Sequence, residues 1–536
     1  MPRKSVLVLQ FVALLALLAQ PMWLGREQWH FGQRSDDGVY LATAKSIATG
    51  QGYRLLHLPG APYAIKYPPL YPAYLSIAWL IRPDFPAVTH VAAFLQAALL
   101  PVFLALLLKA LYGFGFSARR VFLVVGISLV SMQMMALTIT LFSELLCMCL
   151  LLGVILAGER SARSDSPGSE ATRWALAAGL LAGLAYLTRT AALPIFAAVP
   201  VFFVLRKRPR LVLYFFLAAL PLAAGWHLWV LAHAPTGPTT ATSGYLTEYL
   251  RMIQLKGFWS NFMTQVAAVS AGVTEDTVPG FIALLFGLPL FHIVFAAAIS
   301  GAIRIGRRCN WPLYVIFSGF YCLMIFLWWS GGEGVTRLVL PIWPMLIAGM
   351  SEEAAHVAGL FEQTMAKSDS WKRRSPVWMR IPRWALIGLG LLIIFRNDRN
   401  AWTWAATTLP EEHRERLDDE VAFSWIASHK TPDTVVLAWK DATTFLYTGA
   451  DASRGLFITA TPQTPQTKTF ATSFEALPRQ YTRGFLLLLR SDLGNTFNNH
   501  DLQPLQYAAL AFPGSKLEFT APGAFIYSFS IPRTAN

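Results

Sequence analysis

Two adjacent carboxylates, Asp36 and Asp37, follow the first apolar segment of this chain of 536 residues, in the stretch "RSDDGVYLATAKSIATGQGY". A carboxylate at the water-facing end of apolar helices can act as a general base, bind a metal or simply be solvated. Because neighbouring carboxylates repel each other, one of the two binds its proton more tightly. Asp also favours a helix start, so the pair alone does not separate chemistry from structure.

Four further charged residues border or interrupt apolar runs. Glu144 lies in "TLFSELLCMCLLL", about one turn into an otherwise apolar span, where an acid is costly and indicates function. Lys66 lies in "IKYPPLYP", Arg189 in "GLAYLTRTAALP" and Arg337 in "GGEGVTRLVLPIWP". Each of these basic side chains alone is typical of a residue that reaches the membrane interface. Together with the acids they predict a cavity with both signs of charge.

That combination of side chains suits one kind of reaction. Arginine and lysine bind phosphate, a carboxylate accepts a proton from a hydroxyl group, and apolar helix surfaces accommodate a lipid tail. The residues therefore permit a transferase that uses a lipid-phosphate donor at the outer membrane surface. They permit a transporter of anions almost equally well.

The composition indicates which elements must position these residues. The chain is 55% hydrophobic and 14% charged, with a mean hydropathy of +0.45, whereas soluble domains are about one quarter charged. Its long apolar runs predict a polytopic α-helical membrane protein, with the first run as a retained signal anchor. We count about eleven spans by this criterion, near residues 5–24, 88–112, 119–137, 139–158, 173–188, 190–206, 211–233, 280–303, 312–329, 338–355 and 383–396.

The distribution of charge orients these spans and argues against a nucleic-acid-binding protein. The net charge is +14, but residues 401–536 carry 11 basic and 13 acidic side chains, so the excess belongs to the membrane part. With the N-terminus in the cytoplasm, the cytoplasmic loops hold 21 basic and 7 acidic residues, as the positive-inside rule requires. This orientation places residues 25–87, 234–279 and 397–536 outside.

Two domains are expected from this organisation. Residues 1–396 form the transmembrane part, including a first outer loop, 25–87, in which "DDGVYLATAKSIATG" and "PPLYPAYLSIAWLI" predict helices at the membrane surface. Residues 397–536 form an extracytoplasmic α/β domain, with "LDDEVAFSWIASH" as a helix and "DTVVLAW", "RGFLLLLR" and "AFIYSFSI" as strands. The four cysteines show neither a disulfide framework nor a metal signature.

The order of several motifs resembles a known family. These motifs are the acid pair with "DDGVYLATAKSIATGQGY", then "KYPPLYPAYL", "SELL", "GLLAGLAYLTRTAALP", "RLVLPIWP", "WIASHKTPDTVV" and "YTGADASRG". The chain resembles the GT-C-type integral-membrane glycosyltransferases of the protein O-mannosyltransferase and aminoarabinose transferase superfamily. The resemblance covers most of the chain. A C-terminal mannosyltransferase-type module is not evident, which argues against protein O-mannosylation in particular.

The resemblance implies a catalytic base in the first outer loop. Asp36 matches the first acid of the family pattern D-[DE]-x-x-Y, and Tyr40 matches its tyrosine. The second acid here is Asp37 rather than the commoner glutamate, so the choice between the two as the base stays open. The implied reaction is the transfer of a monosaccharide from a polyprenyl-phosphate donor to an acceptor hydroxyl, with inversion.

The remaining candidates are assigned to substrate binding by the same resemblance. Lys66 matches the lysine before the Pro-Pro pair, Arg189 and Arg337 resemble basic positions near the donor phosphate, and Glu144 resembles an acid near the active cavity. The acid pair does not decide whether a divalent metal takes part, and we expect none to be obligatory and no other cofactor. The acceptor is a lipid, a glycan or a protein, and the expected location is a bacterial plasma (inner) membrane with the C-terminal domain outside.

Two alternatives to a glycosyltransferase remain. A transporter or flippase for an anionic lipid or sugar predicts polar residues near the middle of the membrane, broken helices and paired halves. A membrane scaffold whose C-terminal domain binds partners predicts that the outer acids and bases are dispensable. Neither the sugar nor the oligomeric state is determined by the sequence.

Overall fold

The computed structural model describes residues 4–24, 31–32, 35–163, 169–234, 257–278, 280–327, 335–367, 381–454, 477–493 and 514–531. The helices of the first half are α1 Lys4–Leu24, α2 Ser35–Ala48, α3 Leu70–Ile81, α4 Val88–Tyr112, α5 Ala118–Leu129, α6 Met132–Ile139, α7 Glu144–Arg163, α8 Ser169–Thr188, α9 Ile195–Leu205 and α10 Arg210–His233. Those of the second half are α11 Phe258–Thr277, α12 Gly280–Arg308, α13 Leu313–Leu327, α14 Val335–Leu338, α15 Trp343–Lys367, α16 Ile381–His429, α17 Asp441–Thr448 and α18 Arg490–Leu493. The strands are β1 Thr434–Leu437, β2 Asp451–Ser453, β3 Arg483–Leu489, β4 Lys516–Ala521 and β5 Ala524–Ser530.

The apolar helices confirm a polytopic α-helical membrane architecture. Among the described residues, five helices are long and apolar enough to cross a membrane, or six if one bent pair counts as a single span. Shorter apolar helices lie at Leu70–Ile81, Thr190–Leu205 and Leu313–Leu327. The larger number of spans stays a prediction. Of the expected outer segment 234–279, residues 235–256 and 279 lie outside the described residues, and the rest contains α11.

A broken helix corrects the predicted span over 119–137. Helices α5 and α6 are bent by 69° with respect to each other, and the Ser131 hydroxyl accepts the backbone N–H of Met134 at the start of α6. The buried Gln96 of α4 donates its amide to the carbonyls of Leu137 and Phe142, each at 3.2 Å. Backbone groups that leave a helix need such partners, because water does not satisfy them in an apolar bundle. The segment after α6 is therefore fixed in an extended path.

Close helix packing holds the transmembrane bundle together. Where α12 crosses α15, a Cβ built on Gly301 would lie only 1.8 Å from the carbonyl oxygen of Gly349. The two backbones can approach this closely only because neither position carries a side chain. Helices α7, α8 and α10 form another closely packed group beside the site described below.

The C-terminal part contains the predicted small α/β unit. Its five-stranded sheet has the order β2-β1-β3-β5-β4, with β1 parallel to β2 and β3, and β5 antiparallel to β3 and β4. The predicted strands near 433–439, 483–490 and 524–531 are confirmed as β1, β3 and β5. The central strands β1 and β3 are buried along almost their whole length because α16 covers one face of the sheet. The long helix α16 runs through the predicted boundary at 396/397 without a break.

The first outer loop is folded against this sheet unit rather than spread on the surface. Helix α3 exposes Ile77, Leu80 and Ile81, as a surface helix should. Helix α2 differs from the prediction, because most of its side chains are buried between α3 and α17. Its position between two other elements is what fixes the acid pair in space.

Candidate active site

The two acids at the start of α2 point to different surroundings. Successive residues of an α-helix are rotated by about 100°, so adjacent side chains cannot face the same neighbours. Asp36 accepts a hydrogen bond from the Tyr67 hydroxyl at 2.8 Å and one from Nη2 of Arg337 at 2.8 Å, and its side chain is 22% exposed. Burial raises the pKa of Asp36, but Arg337, the Tyr67 hydroxyl and Arg189 outweigh burial and hold this pKa below its usual value. Asp36 is therefore an ionised, accessible carboxylate.

Asp37 faces the interior instead. Its side chain is fully buried, and its two oxygens accept the backbone N–H groups of Gly32 at 2.9 Å and Gly38 at 2.7 Å. Burial raises the pKa of Asp37 to about 7, although these two N–H groups and the charge of Lys440 act in the opposite direction. Asp37 thus fastens the start of α2, whereas Asp36 faces the charged cluster.

Glu144 lies at the first residue of α7, which corrects its expected position one turn inside a span. The extended segment held by Gln96 precedes it, so α7 begins only at Glu144. The carboxyl group is 2% exposed, and its Oε1 lies 2.5 Å from Nε of Arg337 and 2.9 Å from Nη1 of Arg189. Among the residues that the structure describes, neither carboxyl oxygen has a partner with hydrogen-bond geometry, so the contacts of Oε1 are ion pairs. A buried acid in this position is compensated by two guanidinium groups.

Arg189 and Arg337 come from separate parts of the chain and meet at Glu144. Arg189 directly follows α8 in an extended conformation, and its Nη1 also donates to the Ser143 hydroxyl at 3.0 Å. Arg337 lies in the one-turn helix α14, and its guanidinium stacks on the Phe142 ring at 4.2 Å. Arg337 therefore bridges Asp36 and Glu144, while Arg189 binds Glu144 from the other side.

Tyr40 and Lys66 lie beside this cluster. Tyr40 is only 3% exposed, and its hydroxyl shares a 3.1 Å hydrogen bond with Ser143, so it supports Ser143 from behind. Lys66 is half-buried and directly precedes Tyr67, the residue whose hydroxyl binds Asp36. Tyr67 and Ser143 were not singled out from the sequence, since a tyrosine in "KYPP" and a serine in "FSELL" carry no signal by themselves.

The charges of the cluster balance. Asp36 and Glu144 contribute two negative charges, and Arg189 and Arg337 two positive ones. Such an arrangement holds two arginine forks next to an accessible carboxylate, which suits binding a phosphate beside a base. In the described part of the chain no group of three or more His, Cys, Asp or Glu side chains could hold a metal ion. This observation does not decide whether a metal is required, and the expectation that none is obligatory stays a prediction.

A cavity of about 1230 Å³ lies elsewhere in the bundle. It is lined by the ends of α4, α7 and α9, including Lys109, Arg163 and Arg206, and by none of the seven candidate residues. On α7 the lining of this cavity runs from Gly153 to Arg163, so it lies between about 14 and 28 Å from Glu144 along that helix. Acid and guanidinium groups also meet at the cavity, where Arg160 and Arg163 pair with Glu170 and Glu159. The charged cluster around Asp36 is the candidate active site because six of the seven candidate residues, all but the inward-facing Asp37, lie in it or beside it.

No family model matches this chain, and no curated protein does either. The crystal structure of ArnT from Cupriavidus metallidurans bound to undecaprenyl phosphate is similar over 98% of both chains, with a TM-score of 0.54 and 14% sequence identity.

A second solved structure is that of the archaeal oligosaccharyltransferase AglB from Archaeoglobus fulgidus in complex with an inhibitory peptide and a dolichol-phosphate. It has the same TM-score, 0.54, and 14% identity, over 98% of this chain and 74% of AglB. Both are GT-C glycosyltransferases, and the similarity runs through the transmembrane helices and the C-terminal sheet unit alike. The resemblance stated from the sequence is thereby confirmed for the fold: the chain has the architecture of the GT-C glycosyltransferases.

Proposed function

We propose that this protein is an integral-membrane glycosyltransferase that moves a monosaccharide from a polyprenyl-phosphate donor to an acceptor hydroxyl at the outer membrane surface. The observation that carries the proposal is the convergence of Asp36, Glu144, Arg189 and Arg337 from four separate elements. The GT-C fold supports it, as do the lipid phosphates bound in the ArnT and AglB structures. A bacterial plasma (inner) membrane is the expected location.

Asp36 is the general base in this proposal. It is the more accessible acid of the pair, and its lowered pKa keeps it ionised at neutral pH. The acceptor hydroxyl gives its proton to Asp36 and attacks the anomeric carbon from the face opposite the phosphate, so the configuration inverts. The sugar–phosphate bond breaks as the new glycosidic bond forms, and the polyprenyl phosphate leaves with the bonding electron pair.

The basic side chains stabilise the departing phosphate. Arg337 and Arg189 present guanidinium groups next to the base, and Lys66 adds an ammonium group from the same loop. Negative charge grows on the phosphate as the bond breaks, and fixed cations stabilise that charge more in the transition state than in the donor. Glu144 holds both arginines in position from a buried site.

Lipid mass spectrometry tests the proposal and names the donor. A strain that lacks its own copy receives the wild type, Asp36→Asn or Asp37→Asn. Asp84→Asn is the matched control, because Asp84 lies in the same outer loop, is 60% exposed and pairs only weakly with Arg82. We expect one polyprenyl-phosphate sugar to accumulate with Asp36→Asn and not with Asp84→Asn. If neither Asp36→Asn nor Asp37→Asn changes any lipid-linked sugar, the transporter alternative takes precedence.

A further inference from the structure

The C-terminal sheet unit contacts the same helix that carries the candidate base. The backbone N–H of Ala452 in β2 donates to the carbonyl of His57 in the outer loop at 2.7 Å. The rings of Phe85 and Tyr447 meet edge to face with centroids 4.7 Å apart. Ala442 of α17 is fully packed into the apolar cluster of α2 and α3. The outer loop and the sheet unit therefore share one core.

Thr443 of α17 fits into a notch at the start of α2. A Cβ built on Gly38 would lie 2.6 Å from Oγ1 and 2.9 Å from the backbone nitrogen of Thr443. A Cβ built on Gly32, whose φ is +88°, would lie 2.8 Å from Cγ2 of the same threonine. The contact with a backbone atom leaves no room for a side chain at Gly38, whereas at Gly32 the contact is with the side chain of Thr443. The path of the chain on both sides of Asp36 is thus set by the surface of α17.

Charged side chains also connect α17 with α2. Lys440, which precedes α17, is 3% exposed and donates to the Ser491 hydroxyl at 2.9 Å, with Asp492 at 3.4 Å. Ser491 in turn donates to Asp419 of α16 at 2.7 Å. The charge of Lys440 also acts on Asp37, which holds the backbone N–H groups of the notch. Lys440 is thus the cation that acts on Asp419 and Asp492 of the sheet unit and on Asp37 of α2 alike.

We infer that Lys440 and Thr443 of the sheet unit are positioning residues for the base, because they fix the start of α2 through Asp37 and the Gly38 notch. The inference rests on the proposed function of Asp36 as the base. It assigns the C-terminal unit a definite task, which is to complete the active site by aligning its carboxylate. Neither residue contacts the reacting atoms, so both act through the orientation of α2.

A double-mutant cycle tests this. Isolated membranes carrying wild type, Lys440→Met, Asp37→Asn or the double variant consume their own polyprenyl-phosphate sugar, and mass spectrometry follows its initial rate of loss. We expect Lys440→Met to lower the rate by at least about tenfold, since a shift near 1 Å costs about 100-fold. In the Asp37→Asn background the same substitution should cost less than about threefold, because the group it acts through is gone. Lys516→Met, an exposed lysine on β4 of the same unit, is the control.

The outcomes separate the inference from the proposed function. If Asp36→Asn does not slow donor loss, the proposed function is wrong. If Asp36→Asn abolishes donor loss and Lys440→Met matches the wild type, or if the two substitutions act independently, only the inference is overturned. A purely structural role of Lys440 would lower the amount of protein in the membrane, which immunoblotting measures, rather than the rate per molecule.

If the Lys440→Met protein does not accumulate in the membrane, a disulfide between α17 and the chain before α2 tests the inference instead. A Cβ on Gly32 would lie 3.9 Å from the Cβ of Thr443, within the range of about 3.5–4.5 Å found in disulfides. We expect Gly32→Cys with Thr443→Cys to form a disulfide and to retain donor consumption when oxidised. Each single cysteine variant is the control, and Gly32→Cys measures the cost of a side chain at a φ of +88° and against Cγ2 of Thr443. Failure to cross-link, or loss of consumption that reduction restores, would show that the sheet unit does not hold α2 in its active position.

Discussion

Replacing Arg337 by lysine tests the bridge at the centre of the site. The arginine reaches two carboxylates at once, Asp36 through Nη2 at 2.8 Å and Glu144 through Nε at 2.5 Å. A lysine ammonium is a compact point charge on a flexible stem and does not reproduce this planar fork. Arg337→Lys therefore keeps the positive charge and loses one of the two contacts, most directly the one to Asp36.

The expected loss follows from the contact that disappears. A hydrogen bond between charged groups contributes about 1.5–3 kcal/mol. Arg337 and Asp36 are 26% and 22% exposed, so solvent screening places the value in the lower half, at about 2 kcal/mol. This corresponds to a rate lower by about 30-fold. Arg337→Gln removes the charge as well and leaves the buried Glu144 with Arg189 alone, so it should cost more than about 100-fold.

The assay is the initial rate of donor loss in isolated membranes, normalised to the amount of each variant. Arg82→Lys is the control, because Arg82 is a 60% exposed arginine of the same outer loop. An Arg337→Lys rate within about twofold of the wild type would refute the reasoning that the fork geometry matters. A rate equal to that of Arg337→Gln would refute the division of the loss between geometry and charge.

Three further predictions concern the neighbours of the site and the bundle. Because burial raises the pKa of Asp37 to about 7, the folded wild type loses stability as the pH rises from about 4 to 7. The melting temperature of Asp37→Asn should therefore rise relative to that of the wild type across this pH window. Tyr67→Phe removes the hydroxyl that donates a hydrogen bond to the proposed base. Such a hydrogen bond contributes about 1 kcal/mol, so the rate of donor loss should fall by about fivefold. Gly301→Ala should lower the melting temperature through its clash with Gly349, whereas Gly359→Ala, in open space, should not.

The charged residues of the cluster could be singled out from the sequence, but Tyr67, Ser143 and the geometry of the cluster could not. Glu144, Arg189 and Arg337 were chosen because charges are costly beside apolar spans, and they do converge. The sequence could not distinguish Asp36 from Asp37, because their surroundings depend on α17, more than 400 residues away in the chain. Only tertiary contact decides which of two adjacent acids is buried.

Prediction of the fold from the sequence has the same limit. Strands β1, β3 and β5 were predicted because each is a run of apolar and β-branched residues. Strand β2 has only three residues, and the edge strand β4 is largely exposed, so neither carries a strong pattern. The break before α7 was missed because its cause is Gln96, a polar residue in another helix. Apolar runs alone do not reveal where a distant side chain interrupts a helix.

The balanced charge of the cluster implies an order of events for the proposed reaction. Two carboxylates already occupy both arginines, so an arriving phosphate must compete for them. Glu144 is 2% exposed and is held by two guanidinium groups, whereas Asp36 is 22% exposed and shares only one. Asp36 is therefore the partner with which the phosphate shares Arg337. Sharing that cation raises the proton affinity of Asp36 while the contact between them persists, so the donor itself activates the base for its acceptor.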